Sequence, residues 1–185
     1  MSAVTTATIG SLLRESGLPR SEAQLLLGIL LRRERAWLIA HADETAEPLR
    51  LLAAQDWFAR RRAGEPIAYI TGEREFYGLA LRVSSEVLIP RPETELLVEL
   101  ALERIPVGGV VLELGTGSGA VALALAHGRP GLHITATDIS KGALALAREN
   151  AQRHGAAIDF LLGDWFDAFG RERFDLIVSE PSNPW

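Results

Sequence analysis

The 185-residue chain contains no cysteine, so neither a disulfide framework nor a thiolate metal site is open to it. Its four histidines, His41, His127, His133 and His154, show no H-x-x-x-H or similar ligand spacing, and no structural metal is expected. A basic surplus is missing too: 19 Lys and Arg stand against 24 Asp and Glu, a net charge of -5. That balance argues against a nucleic-acid platform and leaves room only for a local basic patch. No basic stretch leads into an apolar segment with a small-residue cleavage site near the N-terminus. The longest apolar run, LLLGILL over 25–31, is far too short to span a bilayer. A soluble, cytoplasmic protein is the expectation. Internal repeats and low-complexity tracts are also lacking.

What is present is ordinary globular composition, 48% hydrophobic and 23% charged, enough for one good core or for a small domain joined to a larger one. Residues 1–64 read as a helical domain. SEAQLLLGILLRR (21–33) opens with Ser21 and Gln24 in the spelling of a capping box, and its leucines cover most of the helix circumference. AEPLRLLAAQDWFARRRAG (46–64) closes on Arg60, Arg61 and Arg62 before Gly64, cations that suit a helix C-terminus. The run reads as a solvated helix end, with contact to an acidic partner as the sharper alternative. Over 65–90, PIAYITG and LALRVS are β-prone runs flanking EREFYG, the pattern of a hairpin linker. Pro90 and Pro92 hold Arg91 extended, and Pro92 suits the first turn of a helix whose buried stripe is Leu96, Leu97, Leu100 and Ala101.

Residues 91–185 then alternate between strand and helix. GVVLEL, HITATD, IDFLLG and FDLIVS are the strands, with helices over 120–126 and 140–154. The pattern predicts an α/β domain with a parallel sheet and helices on both faces. Between the first of these strands and its helix lies LELGTGSGA (112–120), where Gly115, Gly117 and Gly119 allow a sharp turn and close ligand approach. Alone, Gly115-x-Gly117-x-x-Ala120 also satisfies the dinucleotide fingerprint. Asp138 ends the second strand, placed to bind ribose hydroxyls in either kind of site. Glu113 tips the balance, because a carboxylate there opposes a pyrophosphate and suits the ammonium of S-adenosyl-L-methionine. Asp164 offers an acceptor for an adenine amino group and Trp165 a stacking face, unless Trp165 is a core aromatic.

By its helical N-terminal stretch, RRRAGEPIAYITGEREFYGL, VLIPRPETELLVE, VLELGTGSGAVALALA and GDWFDA, the chain resembles the bacterial protein-(glutamine-N5) methyltransferases that modify peptide chain release factors in translation termination. The resemblance implies a Rossmann-like class I methyltransferase domain preceded by a helical substrate-recognition domain. It implies S-adenosyl-L-methionine on Gly115, Thr116, Gly117, Ser118, Gly119, Asp138 and Trp165, a roof from IPRPETE with Arg91 facing substrate, and a release factor as protein partner. The family places Asn-Pro-Pro-Tyr after the fourth strand, where this chain has Glu180, Pro181, Ser182 and Asn183. Glu180 and Pro181 are the candidate catalytic positions, Glu180 also meets cofactor, and all four face substrate. An amide nitrogen is a poor nucleophile and needs acceptors that aim it at the methyl group. Glu180 can accept an amide hydrogen, in a looser orientation than Asn. SNPW (182–185) offers a displaced Asn-Pro pair, and EPSNPW also resembles a segment of spermidine-synthase-like proteins with amine substrates. The strand order is expected to be 3-2-1-4 with the fourth strand at an edge, as in a fragment lacking the usual reversed hairpin. A cofactor-binding module without turnover, a nucleic-acid amino-methyltransferase and a nicotinamide dehydrogenase are the competing readings.

Overall fold

The computed structural model describes residues 7–167 and 169–180. They fall into two compact units, Met1–Thr71 and Gly72–Trp185.

The first unit is helical: α1 (Ile9–Glu15), α2 (Arg20–Leu31), α3 (Arg35–Ala40), α4 (Pro48–Arg62) and α5 (Ile67–Thr71). Leu26, Leu27, Leu38 and Phe58 are among the side chains that fill its core, each contributing about 1.5–3 kcal/mol of burial. The capping box does not form. The first turn of α2 closes on the carbonyl of Pro19, which accepts from Glu22 N at 3.0 Å and Ala23 N at 3.1 Å. Ser21 therefore sits inside the helix, where it cannot act as its cap. Gln24 turns into the core, and neither amide atom has a hydrogen-bond partner among the described residues. The Arg run is no solvated helix end either. Arg60 forks onto Glu65 at 2.6 and 2.8 Å, Arg61 onto Glu22 at 2.7 and 3.2 Å, and Arg62 donates to the Ser16 carbonyl.

PIAYITG is not a strand. Ile67–Thr71 forms α5, because Pro66 opens a turn whose carbonyl accepts from Tyr69 N and Ile70 N. Ile67 and Ile70 then share one helical face against the core, so tertiary packing overrides β-propensity. The hairpin pairs β1 (Glu73–Phe76) with β2 (Leu79–Arg82), making EREF itself the first strand. Tyr77 and Gly78 form its two-residue turn, both at positive φ (50° and 75°), as a type I′ hairpin turn requires.

The second unit continues with α6 (Thr94–Arg104), β3 (Val110–Leu114), α7 (Ala120–Gly128), β4 (His133–Asp138), α8 (Lys141–His154), β5 (Asp159–Leu162) and β6 (Leu176–Ser179). Pro92 stands two residues before α6, in a turn where Thr94 N, Glu95 N and Leu96 N reach back three residues at 3.1–3.3 Å. The buried side of α6 is Thr94, Val98 and Ala101, a stripe at four- and three-residue steps. Leu96 and Leu100 lie off it and are 58% and 39% exposed, contrary to expectation, while Leu97 is half-buried against the core.

The four parallel strands run in the order β5-β4-β3-β6, matching the expected order, and the α/β class holds. Central strand β3 pairs on both sides, Val111 with Ile134 and with Leu176. Among the described residues β6 pairs only with β3, and its Ile177 is 47% exposed.

Candidate active site

Strand β3 delivers the chain to the carboxyl edge of the sheet at Leu114, and residues 115–119 turn it into α7. Gly115, Gly117 and Gly119 all have left-handed backbone, at φ 74°, 55° and 84°, which only glycine adopts freely. One of them adds a spatial reason. A Cβ on Gly119 would press on Ala147 of α8 at 3.2 Å, whereas one on Gly115 would meet no protein atom within 4 Å. One side of the loop is thus packed and the other is open.

The loop is tied to its neighbours by backbone bonds. Thr116 N donates to Thr137 O and Gly119 N to Thr116 O, both at 2.8 Å. Gly117 N donates to Asp138 Oδ2 at 2.9 Å, and Asp138 Oδ1 takes Ser140 N at 2.9 Å. Asp138 therefore anchors the loop and the start of α8 together, and each of its oxygens retains a lone pair for a further donor.

Glu113 is buried beneath the loop. Its Oε2 accepts from Thr116 Oγ1 at 2.7 Å and from Ala122 N at 3.1 Å. Burial pushes its pKa up to about 8 against those two hydrogen bonds, with smaller upward contributions from Asp138 and Glu180. At neutral pH it is a carboxylic acid beside the cavity.

A cavity of about 430 Å³ opens on this edge, and Glu113, all five loop residues except Gly119, Asp138, Asp164, Trp165, Arg91 and Glu180 line it. Trp165 is 57% exposed at φ 46°, which removes the core-aromatic alternative. Glu180 follows β6, and both its oxygens lie 2.6 Å from Thr94 Oγ1. Pro181, Ser182 and Asn183 lie outside the described residues. The carboxyl groups of Glu86, Glu113, Asp138, Asp164 and Glu180 face one cation, Arg91. Such a lining favours a positively charged ligand and opposes a diphosphate.

Sequence reading missed two participants, Ile139 and Asn150, and the partner of a third, Thr94 within the IPRPETE roof. Ile139, 71% exposed, supplies an apolar pad next to Asp138. Thr94, only 4% exposed, reaches Glu180 across 86 positions of sequence. Asn150 on α8 is fully buried: its Oδ1 accepts Arg82 N at 2.8 Å, while Nδ2 donates to Arg82 O at 3.0 Å and Ser118 O at 2.9 Å. An Asn in an amphipathic helix reads as surface, and its neighbours in sequence carried no signal. For Ile139 alone a signal existed, an apolar residue directly after the strand-ending acid.

With this geometry in place, the chain can be compared with known proteins. A family model described as methyltransferase small domain matches residues 92–184.

The chain belongs to that family.

A second model, described as PrmC N-terminal domain, matches residues 7–72 of this methyltransferase-family chain. Curated relatives include a release factor glutamine methyltransferase of Bordetella pertussis, 51% identical over 173 residues, covering 92% of this chain and 64% of the relative. Another of the same name, from Salmonella typhimurium, is 44% identical over 171 residues, covering 91% of this chain and 62% of the relative. The chain thus spans less than two thirds of the length of either relative. Among solved structures, the Pyrococcus abyssi tRNA (uracil-54, C5)-methyltransferase in complex with S-adenosyl-L-homocysteine aligns at a TM-score of 0.50 and 19% identity, covering 59% of this chain and 28% of that one. That likeness speaks to the fold alone. Among the described residues no helix is long and apolar enough to cross a membrane.

Proposed function

We propose that this methyltransferase-family chain binds S-adenosyl-L-methionine in the cavity at the carboxyl edge of its sheet and transfers the methyl group to a glutamine side-chain amide in peptide chain release factors. The observation that carries the reading is the acidic lining around an open glycine loop. A sulfonium and an ammonium suit it, and the open space at Gly115 leaves room for a ligand against the backbone. The relatives named release factor glutamine methyltransferase supply the substrate class.

In this reading Asp138 accepts from ribose hydroxyls with its remaining lone pairs. Asp164 takes the adenine amino group, and Trp165 stacks on the base. The backbone from Gly115 to Gly119 and Glu113 hold the methionine end, Glu113 ionising when an ammonium lies beside it. When bound, the cofactor would supply an electrophilic methyl group on positively charged sulfur, and methylation of the amide nitrogen would leave a neutral thioether and release one amide proton to solvent. Glu180, held by Thr94, accepts an amide hydrogen and aims the nitrogen, with Pro181, Ser182, Asn183 and Arg91 around the substrate. The helical unit, matched over 7–72, recognises the release factor, and the acidic balance argues against direct nucleic-acid contact. The protein works in the cytoplasm, where release factors act.

Calorimetric titration tests the cofactor. S-adenosyl-L-methionine binds, NAD does not, and Asp138→Ala weakens binding by at least about tenfold, the worth of two or more lost hydrogen bonds. Transfer of labelled methyl to a release factor, abolished when its acceptor glutamine is replaced, tests the substrate. Tighter binding of NAD than of S-adenosyl-L-methionine overturns the cofactor assignment, and labelling of DNA or RNA in place of protein overturns the acceptor.

A further inference from the structure

The sheet has a second cavity, at its amino edge, that methyl transfer does not use. It measures about 830 Å³ and lies between the loops that lead from α7 into β4 and from α8 into β5. Three of the four histidines in the chain line it: His127 in the last turn of α7, His133 at the start of β4, and His154 at the end of α8. Asp159 at the start of β5 completes the polar rim. The floor is apolar, with Leu123 and Ile134 buried at 1% and 3% exposure.

His127, His133 and Asp159 are exposed at the rim, and each offers at least one acceptor to a ligand donor. His154 Nε2 donates to the Ala80 carbonyl at 2.9 Å, so in the neutral ring Nδ1 is left with its lone pair. The side chains of His127, His133 and Asp159 have no hydrogen bond or ion pair among the described residues. No lysine or arginine lines the cavity. The C-terminal ends of α7 and α8 both meet this rim, and a helix C-terminus carries partial negative charge. An anion thus finds no fixed cation to pair with, only the ring N–H groups of His127 and His133. Three histidines with one aspartate do not form a metal site, since no group of His and acidic residues among the described ones can hold an ion.

We infer that this cavity is a second ligand site, for a small organic cation with an apolar body, such as an arylalkyl ammonium. The body lies on Leu123 and Ile134, and the ammonium donates to Asp159 and the imidazole nitrogens. Strand β4 runs from His133 in this cavity to Asp138 in the other, so the two sites sit at opposite ends of one strand.

The experiment is a titration of the full chain with tryptamine at pH 8, followed through the four histidine ring-proton signals. His41, stacked on Trp37 in the helical unit at 4.1 Å between ring centroids, is the internal control. Tryptamine shifts the signals of His127, His133 and His154 saturably and leaves His41 unmoved. Indole-3-propionate, with the same ring and the opposite charge, binds at least about tenfold more weakly, and Asp159→Asn weakens tryptamine by a similar factor, the size of one charge-assisted hydrogen bond. Ala156→Phe, which fills the cavity, abolishes the shifts; if that variant does not fold, Asp159→Asn carries the decision. Equal affinity for the two indoles, shifts that do not saturate, or no effect of Asp159→Asn overturns the proposal.

Discussion

Glu113 shows how one residue can hold two demands in opposition. In the proposed reading, stability and cofactor binding ask for different protonation states of the same carboxyl group. With its pKa raised to about 8, the folded chain keeps a proton that the unfolded chain gives up near pH 4. Stability is therefore full below that lower value and falls as pH rises towards 8, at a slope approaching about 1.4 kcal/mol per pH unit for one proton. Urea unfolding between pH 5.5 and 8 is expected to show this decline, and Glu113→Gln to flatten it, because the amide still accepts from Thr116 and Ala122. In the same reading Thr94 acts on the reacting end of the site through Glu180. Thr94→Val keeps the shape but removes the hydroxyl that both Glu180 oxygens share. The expected result is a methyl-transfer rate lower by roughly tenfold, as for one lost hydrogen bond to a charge, with S-adenosyl-L-methionine affinity unchanged by calorimetry.

At the scale of elements, the glycine loop depends on a helix far from it in sequence. Asn150 links β2 to the Ser118 carbonyl from within α8, so Asn150→Leu leaves three backbone groups without partners. A loss of about 2–3 kcal/mol is expected in urea unfolding, together with weaker cofactor binding, since the loop loses a strut. In the helical unit the fork of Arg61 onto Glu22 and that of Arg60 onto Glu65 hold both carboxyls below the usual carboxylate range. Their contribution is present at neutral pH and is lost as pH falls through those lowered values. Glu22→Gln should therefore narrow the acid-unfolding response of residues 7–71, measured by helix signal below pH 4. Periodicity placed α2, α4, α7, α8 and all four strands of the parallel sheet within a few residues. It failed at PIAYIT, where β-branched residues meet a core that accepts only a helical face, and in part at α6, where Leu96 and Leu100 stay exposed while Thr94 and Val98 are buried beside the expected Ala101.

At the scale of the whole molecule, the proposed cofactor site would couple ligand to stability through the carboxyl edge. At a hundredfold excess over its dissociation constant, S-adenosyl-L-methionine is expected to raise unfolding free energy by about 2.7 kcal/mol, seen as a higher Tm in a thermal scan. NAD at the same concentration leaves Tm where it was, because the acidic lining repels its diphosphate.

While the strand order followed from the family resemblance, pattern and spacing alone determined the α/β class, the glycine loop and the acids that end its neighbouring strands. These are local properties: strand period, glycine conformation and chain connectivity are written in consecutive residues. Tertiary structure alone decided that Glu113 holds its proton, that Asn150 braces the loop, that Thr94 meets Glu180 and that the Arg run staples a bundle. Each of those depends on burial or on a partner dozens of positions away, and free energy at such a site is set by its surroundings in space, which no window along the chain contains.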